Sequence, residues 1–536
     1  MDAVVAGVVL ALAALSLVIL RQLDPSGPTW GTRLRSRLLF GVPWGTLIAV
    51  GIVLVVYLVV QSAWGNLRRP VVIPFQSWSY TYPTGWLTAA FAHSGYGHLF
   101  ANVTGALVLG SLAEYAYGHF PQRRGSVSFG SWRTNPYVRA FVIVPAAILL
   151  TGLFTSLFSI GPVIGFSGVV FAFAGFALIR YPLGTVIGLF AISALRRVYD
   201  AVRTPELTRG FIETGPSPPW WAEVAIQGHA IGFILGALIG IHLFRRRGQL
   251  PAAWRIWAGV FLFGIAQNLW AVYWFEGTDR WILLQGVGIV LVILLALLVT
   301  TSASLSDRAI VRAVSGRQMA VVLLAIGLAV LVGPAVPVNL ITTDTGDAAE
   351  RPGIEVDDYR VIYAEGIVNR MVVVGDIDIG GLGEVRTSGI IVYSESRDIW
   401  VRTVSSSRLA SDGRATIRLG DVASRVTVSA ERPTWSVVGN RSVYQVWLAS
   451  DDERELAFES GASTADALIA NHTVTLSSVD GTFTMTIARD GEPIGSAPIP
   501  EDGSSTTVGE LTIEHHEGSL YAVSDGTVVS VATVDT

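Results

Sequence analysis

Long apolar runs broken by short polar stretches fill the N-terminal part of this chain. They cover residues 3–20, 42–61, 98–117, 138–160, 167–180, 182–195, 222–244, 252–275, 281–301 and 318–337. The pattern predicts ten helices of a multi-pass membrane protein. The first run has no basic segment before it and no small-residue cleavage site after it, so it reads as a retained helix. Two runs are short: 14 helical residues span about 21 Å, against a hydrocarbon layer of roughly 30 Å. Such a helix needs protein around it to shield one end from lipid.

Near residue 340 the period changes from helical to alternating. Residues 371–379, 389–394, 398–404, 415–419, 426–430, 442–448, 473–478, 483–488 and 528–534 read as strands. Asp412-Gly413, Asp480-Gly481, Asp490-Gly491 and Asp525-Gly526 mark turns between them. The tail is expected to form one or two antiparallel β-sandwich modules, with no helix of useful length. Four regions follow: 1–38, an extra N-terminal helix and loop; 39–247, a six-helix core; 248–338, three further helices; and 339–536, the β region.

Composition agrees with this division. The chain is 51% hydrophobic and 15% charged, over 536 residues. Cysteine is absent, which excludes disulfides and thiolate catalysis. All 37 basic residues are arginine. Residues 1–340 carry 23 Arg against 10 Asp and Glu, whereas the tail carries 14 against 31. If the loop after the first run is cytoplasmic, 16 arginines of the membrane part lie on that side and seven on the other. Four of those seven sit in the single loop 196–220. The arginine bias predicts that both ends of the chain, and the acidic tail, lie outside the cell membrane.

Polar residues inside apolar runs are costly in lipid and so mark function. Three sets occur. His93, His98 and Asn102 enter the run 98–117, the last two four apart and so on one helical face. Gly165-Phe166-Ser167-Gly168 opens the run 167–180, and Gly228-His229 lies early in 222–244. Under the arginine-derived orientation all three fall at the outer ends of their helices.

These residue types suit acyl transfer. A serine hydroxyl needs a base, here His229, to take its proton and return it to the leaving amine. The tetrahedral oxyanion needs donors, which His98, Asn102 and the Ser167 backbone amide could supply at a helix N-terminus. Gly228, Gly232, Gly236 and Gly240 form a small-residue face that would let this helix approach one carrying Gly168 and Gly175. Glu114 sits toward the cytoplasmic end of its helix, where a structural hydrogen bond is the plainer role. In the tail, Glu514-His515-His516-Glu517 could suggest a metal, but neighbours on a strand point to opposite faces. Asn440 and Asn471 each open an Asn-x-Ser/Thr glycosylation pattern.

Taken together, these motifs resemble the rhomboid family of intramembrane serine proteases, over about residues 42–244. Gly165-Phe-Ser-Gly168 through Gly175 looks like that family's nucleophile helix. His93-x4-His98-x3-Asn102, with Gly110, Glu114 and Gly118, is similar to its second-helix pattern. The stretch around His229, Gly232 and Gly236 is similar to its sixth helix. The resemblance implies a six-helix core, a Ser167–His229 dyad without an acid, and an oxyanion site of His98, Asn102 and Ser167. It also implies cleavage of other proteins' transmembrane segments near the outer face. It implies no cofactor and no metal; the partners are transmembrane substrates and the bilayer, not nucleic acid. The sequence departs from the pattern twice. Thr84-Gly85-Trp86 stands where a Trp-Arg pair is common, and Phe171, placed to stack on the histidine, replaces a frequent tyrosine. An inactive rhomboid-like protein that binds and routes membrane proteins is the alternative. Members of that kind usually lack the serine or the histidine, and both are present here.

Overall fold

The computed structural model describes residues 2–23, 30–120, 126–203, 225–275, 281–306, 309–311, 314–340, 345–369, 386–451 and 453–535. The chain divides into two compact units, one through Thr342 and one from Thr343, save for two short stretches.

The first unit is helical. Its main helices are α1 (Asp2–Leu23), α2 (Trp44–Val60), α3 (Tyr96–Tyr117), α4 (Pro136–Leu157), α5 (Ser167–Arg180), α6 (Pro182–Arg203), α7 (Ile226–Arg246), α8 (Ala253–Ala266), α9 (Gln285–Ser304) and α10 (Gly316–Val338). Among the described residues α3, α4, α7, α9 and α10 are long and apolar enough to cross a membrane. Single π turns at Val56–Val60, Ala106–Gly110 and Arg139–Ile143 interrupt α2, α3 and α4.

Helix α5 is the centre of this unit. All of its residues except Ser167, Phe176 and Arg180 are buried. A 14-residue helix that is apolar on every side is stable only with neighbours on every side, which is the shielding its length demands. Its closest partner is α7. A Cβ on Gly232 would lie 2.0 Å from the Gly168 carbonyl oxygen, and one on Gly236 would lie 2.0 Å from that of Ala172. From the other side, a Cβ on Gly175 would lie 2.2 Å from the Phe233 carbonyl oxygen. The two backbones therefore touch along the glycine face, as the four-residue spacing predicts.

Three helices differ from the hydropathy reading. Helix α6 does not stop at residue 195 but runs to Arg203. Its last two turns carry Arg196, Arg197, Asp200 and Arg203, and no Gly or Pro intervenes before Pro205. Charged residues end an apolar run without ending a helix. Tyr199 in this extension stacks on Phe100 at 4.7 Å and meets the Tyr96 hydroxyl at 3.2 Å. Helix α8 is shorter than the run 252–275. It ends at Ala266, Asn268 takes a left-handed φ of 58°, and a small hairpin pairs Tyr273–Phe275 with Trp281–Leu283. An aromatic apolar run reads alike as helix or strand, and asparagine is one of the few residues that accept the left-handed turn. Helix α10 breaks at Val332 ahead of Pro334 and resumes for one turn. Its start is a capping box: Gln318 N–H donates to the Ser315 hydroxyl at 3.2 Å, and Ser315 N–H donates to Gln318 Oε1 at 2.9 Å. Asn339, just beyond α10, belongs with the membrane unit. Its carbonyl accepts from Tyr80 N–H and its amide donates to the Ser159 carbonyl.

The second unit is an all-antiparallel β structure. Gly353–Val356, Tyr359–Val368, Arg386–Ser394 and Ile399–Ser405 form a four-stranded meander. A nine-stranded sheet and a second four-stranded sheet follow, and Trp435, Val443, Ile513 and Leu520 of the first pack with Val474, Leu476, Met485 and Ile487 of the second in one buried core. The alternation missed several strands, among them 359–368, 454–459, 511–516 and 519–524. Five of the first six residues of Tyr359–Val368 are buried, so no alternation exists there to read. One short helix, Ser406–Asp412, was not expected; Ser405 caps it and Gly413, at φ 66°, ends it. The strand expected at 371–379 lies outside the described residues.

Candidate active site

Ser167 is the first residue of α5, and the chain reaches it through Gly165 at φ 121°. Side chains other than glycine are strained there, and space is also wanting. A Cβ on Gly165 would lie 2.5 Å from His98 Cε1, 2.7 Å from His98 Nε2 and 3.4 Å from Asn102 Nδ2. The missing side chain thus lets the loop lie against His98 and Asn102, one turn apart on α3. As the first residue of a helix, Ser167 has a backbone amide with no intrahelical acceptor.

His229 comes to the same place from α7. Its Nε2 lies 2.8 Å from Ser167 Oγ. Its ring stacks on Phe171 with centroids 4.2 Å apart and planes 9° apart. Phe171 in turn meets Phe263 of α8 edge-on at 5.5 Å. The imidazole is held as a flat plate, and its sealed Nδ1 has no hydrogen-bond partner among the described residues.

The remaining polar groups support this arrangement. Ser94 Oγ lies 3.0 Å from His98 Nδ1. His93 is fully buried and packs edge-on against the His98 ring at 5.0 Å. Gln61 holds the His93 backbone on both sides, accepting from its N–H at 2.8 Å and donating to its carbonyl at 2.9 Å. Asn102 is buried, and its Nδ2 has no partner among the described residues. Gln227, two residues before His229, accepts from Ile160 N–H at 2.8 Å and so ties the start of α7 to the end of α4. The structure therefore brings Ser167, His229, His98, Asn102, His93, Gly165, Gly168, Phe171 and Gly232 into one region.

Glu114 is not part of it. Its carboxylate accepts from Gly45 N–H at 2.9 Å, Thr46 N–H at 2.8 Å, the Thr46 hydroxyl at 2.7 Å and His119 Nε2 at 2.7 Å. His119 Nδ1 accepts from Leu39 N–H at 2.8 Å, which leaves the ring proton on the Nε2 that faces Glu114. A buried carboxylate caps the first turn of α2, where the helix dipole favours negative charge. Glu114→Gln is expected to keep the fold but lower its stability by about 1–3 kcal/mol, because an amide cannot accept all these bonds. Thermal unfolding in detergent measures it; an unchanged midpoint would remove the capping role.

Gln61, Ser94, His119 and Gln227 escaped the sequence reading. Ser94 alone left a signal, a polar residue four before His98; the others act through partners remote in the chain. The tail cluster separates as strand geometry requires. His515 is half-buried and its Nδ1 bonds the Pro500 carbonyl at 2.8 Å, while Glu514 and His516 are exposed. Among the described residues no group of three His, Asp or Glu could hold a metal ion.

Fold and site together define a polytopic helical domain that sets a serine hydroxyl against an imidazole at one end of its central helix. Residues 80–246, which hold α3 to α7 and every residue of the site except Gln61 and Phe263, match the family model described as the Rhomboid domain. The chain carries a Rhomboid domain over that span, followed by further apolar helices and an all-β region. No curated protein and no solved structure matches it.

Proposed function

We propose that the protein is an intramembrane serine endopeptidase that cleaves transmembrane segments of other membrane proteins. One observation carries the reading: Ser167 Oγ and His229 Nε2 stand 2.8 Å apart. The Rhomboid domain supports it, since that family consists mainly of such proteases, though it includes inactive members.

The Ser167 hydroxyl donates to Nε2, and the one proton of the neutral ring stays on Nδ1. As Oγ bonds the scissile carbonyl carbon, the imidazole takes the hydroxyl proton and then delivers it to the leaving amine. Charge on the carbonyl oxygen is met by the Ser167 amide, by Asn102 Nδ2 and by His98 Nε2–H, the tautomer that a Ser94 hydroxyl donating to Nδ1 selects. Water then releases the acyl group with the same imidazole as base. Phe171 keeps the ring in plane in place of a third, acidic member. From the arginine bias we assign this end of α5 to the outer face and the β region to the exterior.

The test is a fluorophosphonate probe on the reconstituted protein, with cleavage of a transmembrane substrate followed in parallel. Labelling at Ser167 together with cleavage supports the proposal. Neither labelling nor cleavage would assign the domain to binding membrane proteins without hydrolysis. Asn102→Ala should lower turnover about 10²–10³-fold, the usual loss for one oxyanion donor. Beside Ser167 lies a small cavity walled by Ala89, Ala90, Thr155, Gly165 and Gly168. A substrate with alanine before the scissile bond should be cut at least tenfold faster than one with phenylalanine; equal rates would mean that the cavity does not receive that side chain.

A further inference from the structure

The opposite end of α5 holds a second cavity, remote from Ser167. It is lined by Tyr115 at the end of α3, by Arg180, Tyr181, Pro182 and Gly184 across the α5–α6 turn, and by Arg255 in the first turn of α8. Its volume is about 420 Å³. At 1.5 Å per residue it lies about 20 Å from the serine along α5.

Three features of this cavity agree in sign. Among the described residues two guanidinium groups line it and no carboxylate does. Among the described residues no acidic side chain pairs with Arg180 or Arg255, and Arg180 Nε is sealed from solvent without a hydrogen-bond partner. The half-buried Arg180 therefore meets the cavity with the outer edge of its fork and not with Nε. Two helices, α6 of 22 residues and α8 of 14, begin at its wall. Pro182 has no N–H, and Thr185 and Arg255 N–H already donate to the Tyr181 and Ala252 carbonyls, so the first-turn amides left at the wall are those of Leu183 and Gly184; both helix dipoles favour negative charge. The guanidinium groups also lie over aromatic rings, Arg180 on Tyr181 at 5.1 Å and Arg255 on Trp254 at 5.4 Å. Stacking of this kind steadies a cation without neutralising it, and leaves the edge of the fork to bond an oxyanion.

We propose that this cavity binds a phosphate group, held between the Arg180 and Arg255 side chains and the start of α6. Phosphate is the anion whose several oxygens can serve both guanidinium forks and the helix amides at once. Its source is either the headgroup of an anionic phospholipid in the surrounding leaflet or free phosphate. The site is independent of the Ser167 chemistry.

The experiment is thermal unfolding of the full-length protein in neutral detergent, with four additions at matched ionic strength: phosphatidylglycerol, phosphatidylcholine, sodium phosphate and sodium chloride. The wild type should be stabilised by phosphatidylglycerol or by phosphate, and not by phosphatidylcholine or chloride. Stabilisation by phosphatidylglycerol alone identifies a lipid headgroup, and by sodium phosphate a free anion. Arg255→Gln, at an exposed position that leaves the fold intact, should weaken apparent affinity roughly tenfold, as expected for one charge-assisted contact. Arg180→Gln with Arg255→Gln should abolish the shift, while Arg68→Gln, in the loop between α2 and α3, should leave it unchanged. No shift with either phosphate source, or an equal shift in the double variant, overturns the proposal.

Discussion

Ser167→Ala is expected to lower cleavage of a reconstituted transmembrane substrate by about 10⁴-fold or more, to the level of the uncatalysed background. The loss should be nearly all in turnover, since the hydroxyl contributes to bond making rather than to holding the substrate. His229→Ala should cost about as much, because Ser167 Oγ has its base at 2.8 Å and, among the described residues, Nδ1 of that base has no hydrogen-bond partner to share its role. Groups that act as one unit are not additive, so the double variant should be no slower than either single one. Folding should survive. Ser167 is only partly buried, and its hydroxyl bonds one side chain, that of His229, which is itself half-buried. The measurement pairs initial rates with thermal midpoints for all three variants. Normal cleavage by Ser167→Ala would end the assignment of the nucleophile, and multiplied losses in the double variant would show that the two residues act in separate steps.

The sequence exposed these residues because a polar group in an apolar run is conspicuous. His98 and Asn102 show their common face by spacing alone, and Gly232 and Gly236 show a contact face in the same way. The motif resemblance drawn from them agrees with the Rhomboid domain found at residues 80–246. What stayed hidden depends on partners remote in the chain. Gln61 looks like the polar end of a hydrophobic run, and only the fold shows it gripping the His93 backbone. His119 gave no sign that it completes the Glu114 cap. Hydropathy also erred where it records solvent preference rather than backbone geometry. It ended α6 at its first arginines and carried α8 through an asparagine turn into a hairpin. In the β region, two-sided burial erased the alternation on which strand reading depends.

Gly232→Ala should reduce activity about 10²-fold while costing only about 1–3 kcal/mol of stability. The added methyl would stand 2.0 Å from the Gly168 carbonyl oxygen, a separation that no real Cβ shows. Because the obstacle is backbone at the buried start of α5, no side chain can turn aside, and α7 must move off by about 1 Å. Gly168 adjoins Ser167, and Gly232 lies three residues past His229, so the displacement falls almost wholly on the hydrogen bond between hydroxyl and imidazole. An oriented pair loses catalysis steeply with distance, whereas the surrounding core loses only modest packing. Gly240 provides the control. It lies two turns further along α7, and its nearest neighbours, the Ile179 Cγ1 and the Phe176 carbonyl oxygen, both stand at 3.1 Å, so a shift of a few tenths of an ångström makes room for the methyl. Gly240→Ala should therefore lower activity far less at a similar thermal midpoint. Equal activity losses in the two variants would mean that glycine spacing governs the assembly of the bundle as a whole and not the placement of His229 against Ser167.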